Sequence, residues 1–512
     1  MRKRNIFRRA CSVVVFCVAA TVMSSAQRYT VLDNFDQKDG AAPQVGMIQG
    51  LDGDLYGTTP TGGPGSSSCG TQGCGTVFKV SRAGNLATLY TFCSQPDCED
   101  GALPDSSLAL APNGNFYGTT LSGGPISNSC GDGGCGTIFD ISPTGDLTVL
   151  HGFCSEPSCA DGAGPRAGLV FGSNGNFYGT TSSGGSTTCM SSSGCGTIFE
   201  ITPAGELTVL YKFCDRQGSI CPDGAFPFGS LVEGGDGDFY GTTSDGGSTY
   251  AGTVFKITPR GKLSTLYNFC SLPNCADGAG PLAGLVEAVN GQFYGTTPGN
   301  VDCPPLCGTV FSMSSAGALK TLHAFCSDPG CADGENPMSG LIQATDGNLY
   351  GTTLIGGTSA YCQYFGVGCG TIFGMNQAGD LKTVYNFCSQ PDCADGFLPS
   401  AVITQATDGN SYGTALTGGA NQDGTIFRLS TTLKSFVALV EAAGEIGQTG
   451  VVIGGGLIGT TAVAFNGVPA IFDVKSETYL TATVPAGATT GYVTVTTPTG
   501  VLTSNVPFQV IP

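Results

Sequence analysis

Two acidic side chains, Glu233 and Glu287, hold equivalent places in neighbouring copies of one internal repeat. Paired carboxylates across a cleft are the minimum equipment for acid–base glycoside chemistry. The place they share reads Gln49, Leu110, Phe171, Glu233, Glu287, Gln343 and Gln405 along the chain, so a carboxylate is the exception there. The competing reading is two solvated acids beside a wet central axis. Little else is equipped for covalent chemistry. Histidine occurs only as His151 and His323, where other copies carry Tyr90, Tyr211, Tyr267 and Tyr385, so both read as substitutes for a structural aromatic. A Ser-His-Asp or Cys-His group has almost nothing to build on. No metalloprotease helix or phosphate loop is present, and no cofactor is expected. One aromatic cluster, Tyr361, Tyr364 and Phe365, lies in the loop of the Cys362/Cys369 pair, Tyr361 just ahead of Cys362 and the other two between the cysteines. It suits stacking on sugar rings or a partner surface as well as it suits local packing.

The 22 cysteines beyond residue 26 fall into close pairs. Six pairs follow the fourth strand of a repeat: Cys93/Cys98, Cys154/Cys159, Cys214/Cys221, Cys270/Cys275, Cys326/Cys331 and Cys388/Cys393. Five lie between the second and third strands: Cys69/Cys74, Cys130/Cys135, Cys189/Cys195, Cys303/Cys307 and Cys362/Cys369. The fourth and seventh repeats lack the second kind of pair altogether, at 248–251 and 420–423. Members that come and go together predict local disulfides. Zinc held by two pairs is the rival, disfavoured by the independent loss of pairs and by signs of export. No metal is expected.

What must position these residues is a sevenfold repeat around Tyr-Gly-Thr-Thr, at Tyr56, Tyr117, Tyr178, Tyr240, Tyr294, Tyr350 and, ending in Ala415, Tyr412. The intervals of 61, 61, 62, 54, 56 and 62 residues each hold about four short strands. In the fourth copy these are 230–234 (SLVEG), 239–243 (FYGTT), 252–258 (GTVFKIT) and 263–269 (LSTLYNF), lettered a to d from the axis outward. Asp-Gly or Asn-Gly between strands a and b, as at Asp236-Gly237, signals a tight hairpin. An Asp-Gly-x-x-Pro phrase, from Asp39 to Asp395, links each copy to the next. Its Asp could bind cations as a ring, but Asp, Gly and Pro each have a turn-forming role, and the structural reading is preferred. The expected fold is all-β: a seven-bladed β-propeller over 27–435, then an immunoglobulin-like β-sandwich over 436–512. Residues 29–35 (YTVLDNF) resemble a d strand lying ahead of the first a strand, so they are expected to close the last blade; 433–438 (LKSFVA) is the competitor.

The N-terminus carries Arg2, Lys3, Arg4, Arg8 and Arg9 before an apolar run, 13–23, and Ser24-Ser25-Ala26. That is a secretory signal over 1–26. No second apolar run of spanning length follows, so no transmembrane segment is expected in the mature chain. Its removal takes the net charge from −18 to −23, which excludes nucleic acid and anionic lipid as partners.

After about Ser435 the repeat phrases stop and short alternating segments take over at 451–453, 462–465, 471–474, 479–484, 492–496 and 508–511. Ala464-Phe465-Asn466-Gly467-Val468-Pro469-Ala470 and Thr481-Ala482-Thr483-Val484-Pro485-Ala486-Gly487 resemble the IPT/TIG immunoglobulin-like domains. The repeat, through Leu55–Thr59 (LYGTT), 75–80 (GTVFKV) and six counterparts, resembles the Gloeo-Verruco (GloVer) tandem-repeat family. That resemblance implies an exported or surface-displayed bacterial protein, often with a sorting anchor; an apolar anchoring tail is absent before Pro512. The leading expectation is a non-enzymatic secreted or cell-surface binding or scaffold protein, using the disulfide-clipped face for an extracellular glycan or protein. The rivals are a carbohydrate-active enzyme using Glu233 and Glu287, and a purely structural envelope protein.

Overall fold

The computed structural model describes residues 27–511 except 66–68, 126–129, 131–132, 187–188, 190–192, 216–220, 300–306, 360 and 363–367. The expected signal, 1–26, lies outside the described residues, as do Tyr364, Phe365 and Cys303. The fold is an all-β propeller. In the fourth repeat Val232–Glu233, Phe239–Thr243, Thr253–Ile257 and Leu263–Asn268 pair in that order, all antiparallel. Among the described residues seven sheets share this four-strand pattern. The innermost strand is only two residues long, shorter than the apolar run that signals it. Directions alternate from a to d, so the b–c loops and d–a links emerge on one face and the a–b and c–d turns on the other.

The Tyr-Gly-Thr-Thr phrase is explained by packing on strand b. Tyr56 is fully buried and stacks on Phe116 of the next repeat at 4.1 Å, while its hydroxyl donates to Asp52. The glycine has no room for a side chain: a Cβ on Gly57 would lie 2.6 Å from Cζ of Phe78 on strand c. The first threonine reaches the next repeat, as Thr58 Oγ1 donates to the Ser106 carbonyl at 3.0 Å and Thr242 Oγ1 to that of Ala283 at 2.9 Å. The second stays at home, with Thr59 and Thr76 hydroxyls 2.8 Å apart between strands b and c. Each residue of the phrase thus ties strand b to its own sheet or to the neighbouring one.

The last sheet is completed from the beginning of the chain. Arg28–Asn34 pairs antiparallel with Thr425–Ser430, in register from Arg28↔Ser430 to Asn34↔Thr425. Tyr29 stacks on Tyr385 at 3.9 Å and donates to the Asp395 carbonyl, and Phe35, fully buried, meets Phe78 edge-on at 5.2 Å. One short segment therefore fastens the last repeat to the first. The competing segment leads elsewhere: Ala438–Leu439 pairs with Thr449–Ile453 beyond the repeats.

That C-terminal region forms a four-stranded and a five-stranded sheet over a core including Val452, Leu480, Val493 and Phe508. It sits against the a–b turns. Thr478 Oγ1 donates to the Leu51 carbonyl (2.6 Å), Phe436 N–H to that of Thr407 (3.1 Å), and Gln509 Nε2 to that of Gly235. Those turns belong to the first, seventh and fourth repeats, so the C-terminal region lies across the axis. It leaves the opposite face, that of the b–c loops and d–a links, uncovered by these contacts. Among the described residues no helix is long and apolar enough to cross a membrane.

Candidate functional site

The uncovered face is braced by sulfur. Ten disulfides join the expected partners, among them Cys69–Cys74, Cys93–Cys98, Cys130–Cys135, Cys154–Cys159 and Cys388–Cys393. Cys307 is also disulfide-bonded, while Cys303 lies outside the described residues. The d–a cysteines take left-handed backbone, with Cys93 at φ 60° and Cys98 at φ 55°, a conformation unfavourable for L-residues. The link holds them there, through Cys93 N–H to the Gly101 carbonyl (3.1 Å) and Gly101 N–H to that of Cys98 (2.8 Å). The two clips of a repeat touch: the four sulfurs of Cys130, Cys135, Cys154 and Cys159 lie within 4.8 Å of one another. A four-thiolate site would need all of them reduced, and the fourth repeat has only Cys270–Cys275 to offer.

The link aspartates are occupied by the fold. Asp100 accepts from the Tyr90 hydroxyl (2.8 Å) and from both N–H and hydroxyl of Ser94 (2.9 Å each). Asp277 accepts from Tyr267 and Ser271 N–H, and Asp395 from Tyr385 and Ser389. His151 Nε2 and His323 Nε2 take the tyrosine's place against Asp161 (3.2 Å) and Asp333 (3.0 Å), as expected of aromatic substitutes.

Glu233 and Glu287 each bind a neighbouring repeat. Glu233 accepts from the N–H of Ser173 at 2.9 Å and from its hydroxyl, and Glu287 accepts from Gly235 N–H at 2.9 Å. Gln343, Gln405 and Gln49 do the same for the amides of Val289 (2.8 Å), Thr345 (2.9 Å) and Thr407 (2.9 Å). In every case the donor stands two residues beyond the equivalent position in the preceding repeat. The pattern also accounts for one exception. The donor facing Phe171 would be Pro112, which has no N–H, so an acceptor there would have nothing to receive. Glu and Gln are interchangeable in this latch because either offers a side-chain oxygen. Burial raises the carboxyl of Glu287 above its ordinary range, against the pull of the Gly235 amide. Of the aromatic cluster, Tyr361 is 48% exposed beside the Cys362–Cys369 bridge.

A further set of residues was missed by sequence reasoning, which compared the wrong column of the repeat. The residue after each link proline begins the approach to strand a on the disulfide face: Gln44, Asp105, Arg166, Phe228, Leu282, Met338 and Ser400. Neighbours along this series touch. Arg166 Nη1 lies 3.7 Å from Asp105 Oδ2, and its guanidinium is 5.6 Å from the Phe228 ring centre. Burial pushes the Asp105 carboxyl up to about 6 despite the Arg166 charge. Ser400 Oγ is buried with no hydrogen-bond partner. Repeats seven, one, two and three thus supply a polar arc, and repeats four, five and six an apolar one. The signal was available: this is a column where the repeats disagree, on a face they otherwise build identically.

The chain belongs to the Gloeobacter/Verrucomicrobia repeat family, whose profile matches residues 17–222, 127–365 and 306–468. No curated protein matches it. Among solved structures it is similar to a provisionally assigned gluconolactonase, with 10% identity over 80% of this chain and 94% of that one and a TM-score of 0.38. It is also similar to a provisionally assigned oxidoreductase (glucose dehydrogenase) from Thermus thermophilus, at 16% identity, 79% and 100% coverage and TM-score 0.39. A Bacteroides thetaiotaomicron protein of unknown function gives 14%, 79% and 76%, and 0.39.

Proposed function

We propose that the chain is an exported, non-enzymatic binding protein of the cell surface or surroundings. In this reading residues 1–26 direct export, 27–435 form seven blades, and 436–512 form an immunoglobulin-like sandwich of the IPT/TIG kind acting as a spacer. The ligand is an extracellular glycan or protein, taken on the disulfide-clipped face. The observation that carries the reading is the divided arc around Asp105, Arg166 and Phe228, framed by clipped loops on the face the C-terminal region leaves open. A half-exposed guanidinium held between a carboxylate and an aromatic face is a preorganised donor set, and apolar side chains opposite it supply contact area. Ten closed loops around it fit an oxidising compartment and reduce the ordering cost of binding. The carboxylates required by the enzyme reading, Glu233 and Glu287, are engaged in latches between repeats, which favours binding over turnover.

The test is a survey of the oxidised mature protein against immobilised glycans and surface-protein extracts, repeated with Arg166→Ala and Phe228→Ala. A ligand bound at least tenfold more weakly by both variants is expected. The location is refuted if no ligand bound by the parent is weakened by either variant.

A further inference from the structure

A cleft of about 590 Å3 opens between the propeller and the C-terminal region, on the face opposite the disulfides. Its walls come from three parts of the chain. The a–b turns of the fifth and sixth repeats contribute Val289 and Thr345, the connecting segment contributes Lys434, and the C-terminal sheets contribute Tyr492, Val501 and Asn505. The volume falls in the ordinary range for a small-molecule site, roughly 300–1,000 Å3, and a junction between two bodies is a common place for one.

Three features separate this cleft from an accidental gap. Val289, Tyr492 and Val501 are among the few large apolar side chains left exposed, at 49%, 42% and 63%, and all three line it. Such side chains scattered singly need no explanation, but their convergence on one cleft does. Asn505 Oδ1 is buried there with no hydrogen-bond partner, although the residue's backbone N–H is bonded to the Val437 carbonyl. A buried polar atom left unpaired is destabilising, and a ligand hydroxyl would relieve it. Beside Leu433 and Phe436, the polar part of the lining is threonine and serine hydroxyl, amide and one lysine, with no carboxylate.

We infer that the cleft binds a short oligosaccharide, one pyranose ring lying on the Tyr492 face with its hydroxyls reaching Asn505, Lys434 and Thr345. A sugar ring presents an apolar C–H face and a rim of hydroxyls. An exposed tyrosine flanked by hydroxyl and amide groups matches both, since the aromatic ring offers rigid apolar area at little entropic cost. This site goes beyond the binding face proposed above and stands independently of it, because its walls include none of the arc residues. The C-terminal region is then more than a spacer, as it supplies half of a binding site.

The experiment is calorimetric titration of the full mature protein with three tetrasaccharides: an uncharged hexose, a hexuronate and a sulfated hexose. Each is repeated with Tyr492→Ala, Asn505→Ala and, as a reference for the opposite face, Arg166→Ala. Expected is binding of at least one probe, weakened tenfold or more by Tyr492→Ala and by Asn505→Ala and unchanged by Arg166→Ala. Preference for an acidic probe would assign a charge-recognising role to Lys434; equal binding would assign recognition to the ring and hydroxyls. Circular dichroism and thermal unfolding of Tyr492→Ala establish that the region stays folded. Binding of none of the three, or binding indifferent to Tyr492→Ala in a folded variant, would overturn the inference. Loss with Arg166→Ala alone would place the ligand on the disulfide face and overturn it as well.

Discussion

Phe35→Ala tests ring closure with one side chain. Phe35 is fully buried and lies in a cluster with Met47, Leu55, Phe78, Val80 and Ile426, contributed by both ends of the ring. Truncating a buried phenylalanine typically costs 3–5 kcal/mol, combining lost transfer energy with the cavity left behind. For a ring of roughly 400 residues, unfolding entropy scales so that 1 kcal/mol corresponds to about 1 °C, and Tm should fall by about 3–5 °C. Deleting residues 27–36 goes further. It removes the pairing from Arg28↔Ser430 to Asn34↔Thr425, the Tyr29–Tyr385 stack and Phe35 together. At about 1 kcal/mol net per lost hydrogen bond and about 3 for each buried aromatic, the total approaches 10 kcal/mol, comparable with a typical domain's whole stability. It also bares the edge of Thr425–Ser430 for association with other chains. The assay is thermal unfolding with disulfides intact, alongside the soluble fraction after expression. An unchanged Tm for Phe35→Ala, or a soluble deletion variant melting like the parent, would refute closure by the N-terminal segment.

Other outcomes follow from the same contacts. Peptide mapping without reduction should recover each disulfide as a self-linked local loop, and a majority bond between a b–c loop and a d–a link would contradict it. Glu287→Gln should preserve the latch and Glu287→Ala should release it; hydrogen exchange at the Gly235 amide reads the difference, with faster exchange expected only for alanine. For Asp105, folding raises the carboxyl from an ordinary 3.8 to about 6. Its contribution is therefore fully present below about 3.8 and is lost as pH rises through 6. Asp105→Asn should be more stable than the parent at pH 8, by at most ~3 kcal/mol, and gain nothing at pH 3.5. Denaturant midpoints at the two pH values check this, and a gain confined to low pH would contradict it.

Much of the fold was legible because its signals are local and repeated. Asp236-Gly237 marks a hairpin by itself, and six copies of Tyr-Gly-Thr-Thr with a seventh ending in Ala415 align strand b without any outside sequence. Closure by 29–35 was legible too, since the segment copies a d strand in the wrong place. The latch was not. Glu233 and Glu287 look like chemistry until Gln343 and Gln405 are seen making the same bond, and that bond joins residues about sixty apart through the ring. The short strands Ala443–Glu445 and Val468–Pro469 carry too few residues for alternation to show. The docking of the C-terminal region was invisible for a different reason. Contacts such as Thr478 to Leu51 depend on how two separately patterned surfaces meet, and no periodicity encodes that.

Turnover separates a binding protein from an enzyme most directly. Purified mature protein is incubated with a panel of polysaccharides and oligosaccharides, and released sugar is measured beside equilibrium binding, for the parent and for Glu287→Gln. Binding without product is expected, unaltered by Glu287→Gln because glutamine keeps the latch. Product formed by the parent and abolished in a folded Glu287→Gln variant would contradict it.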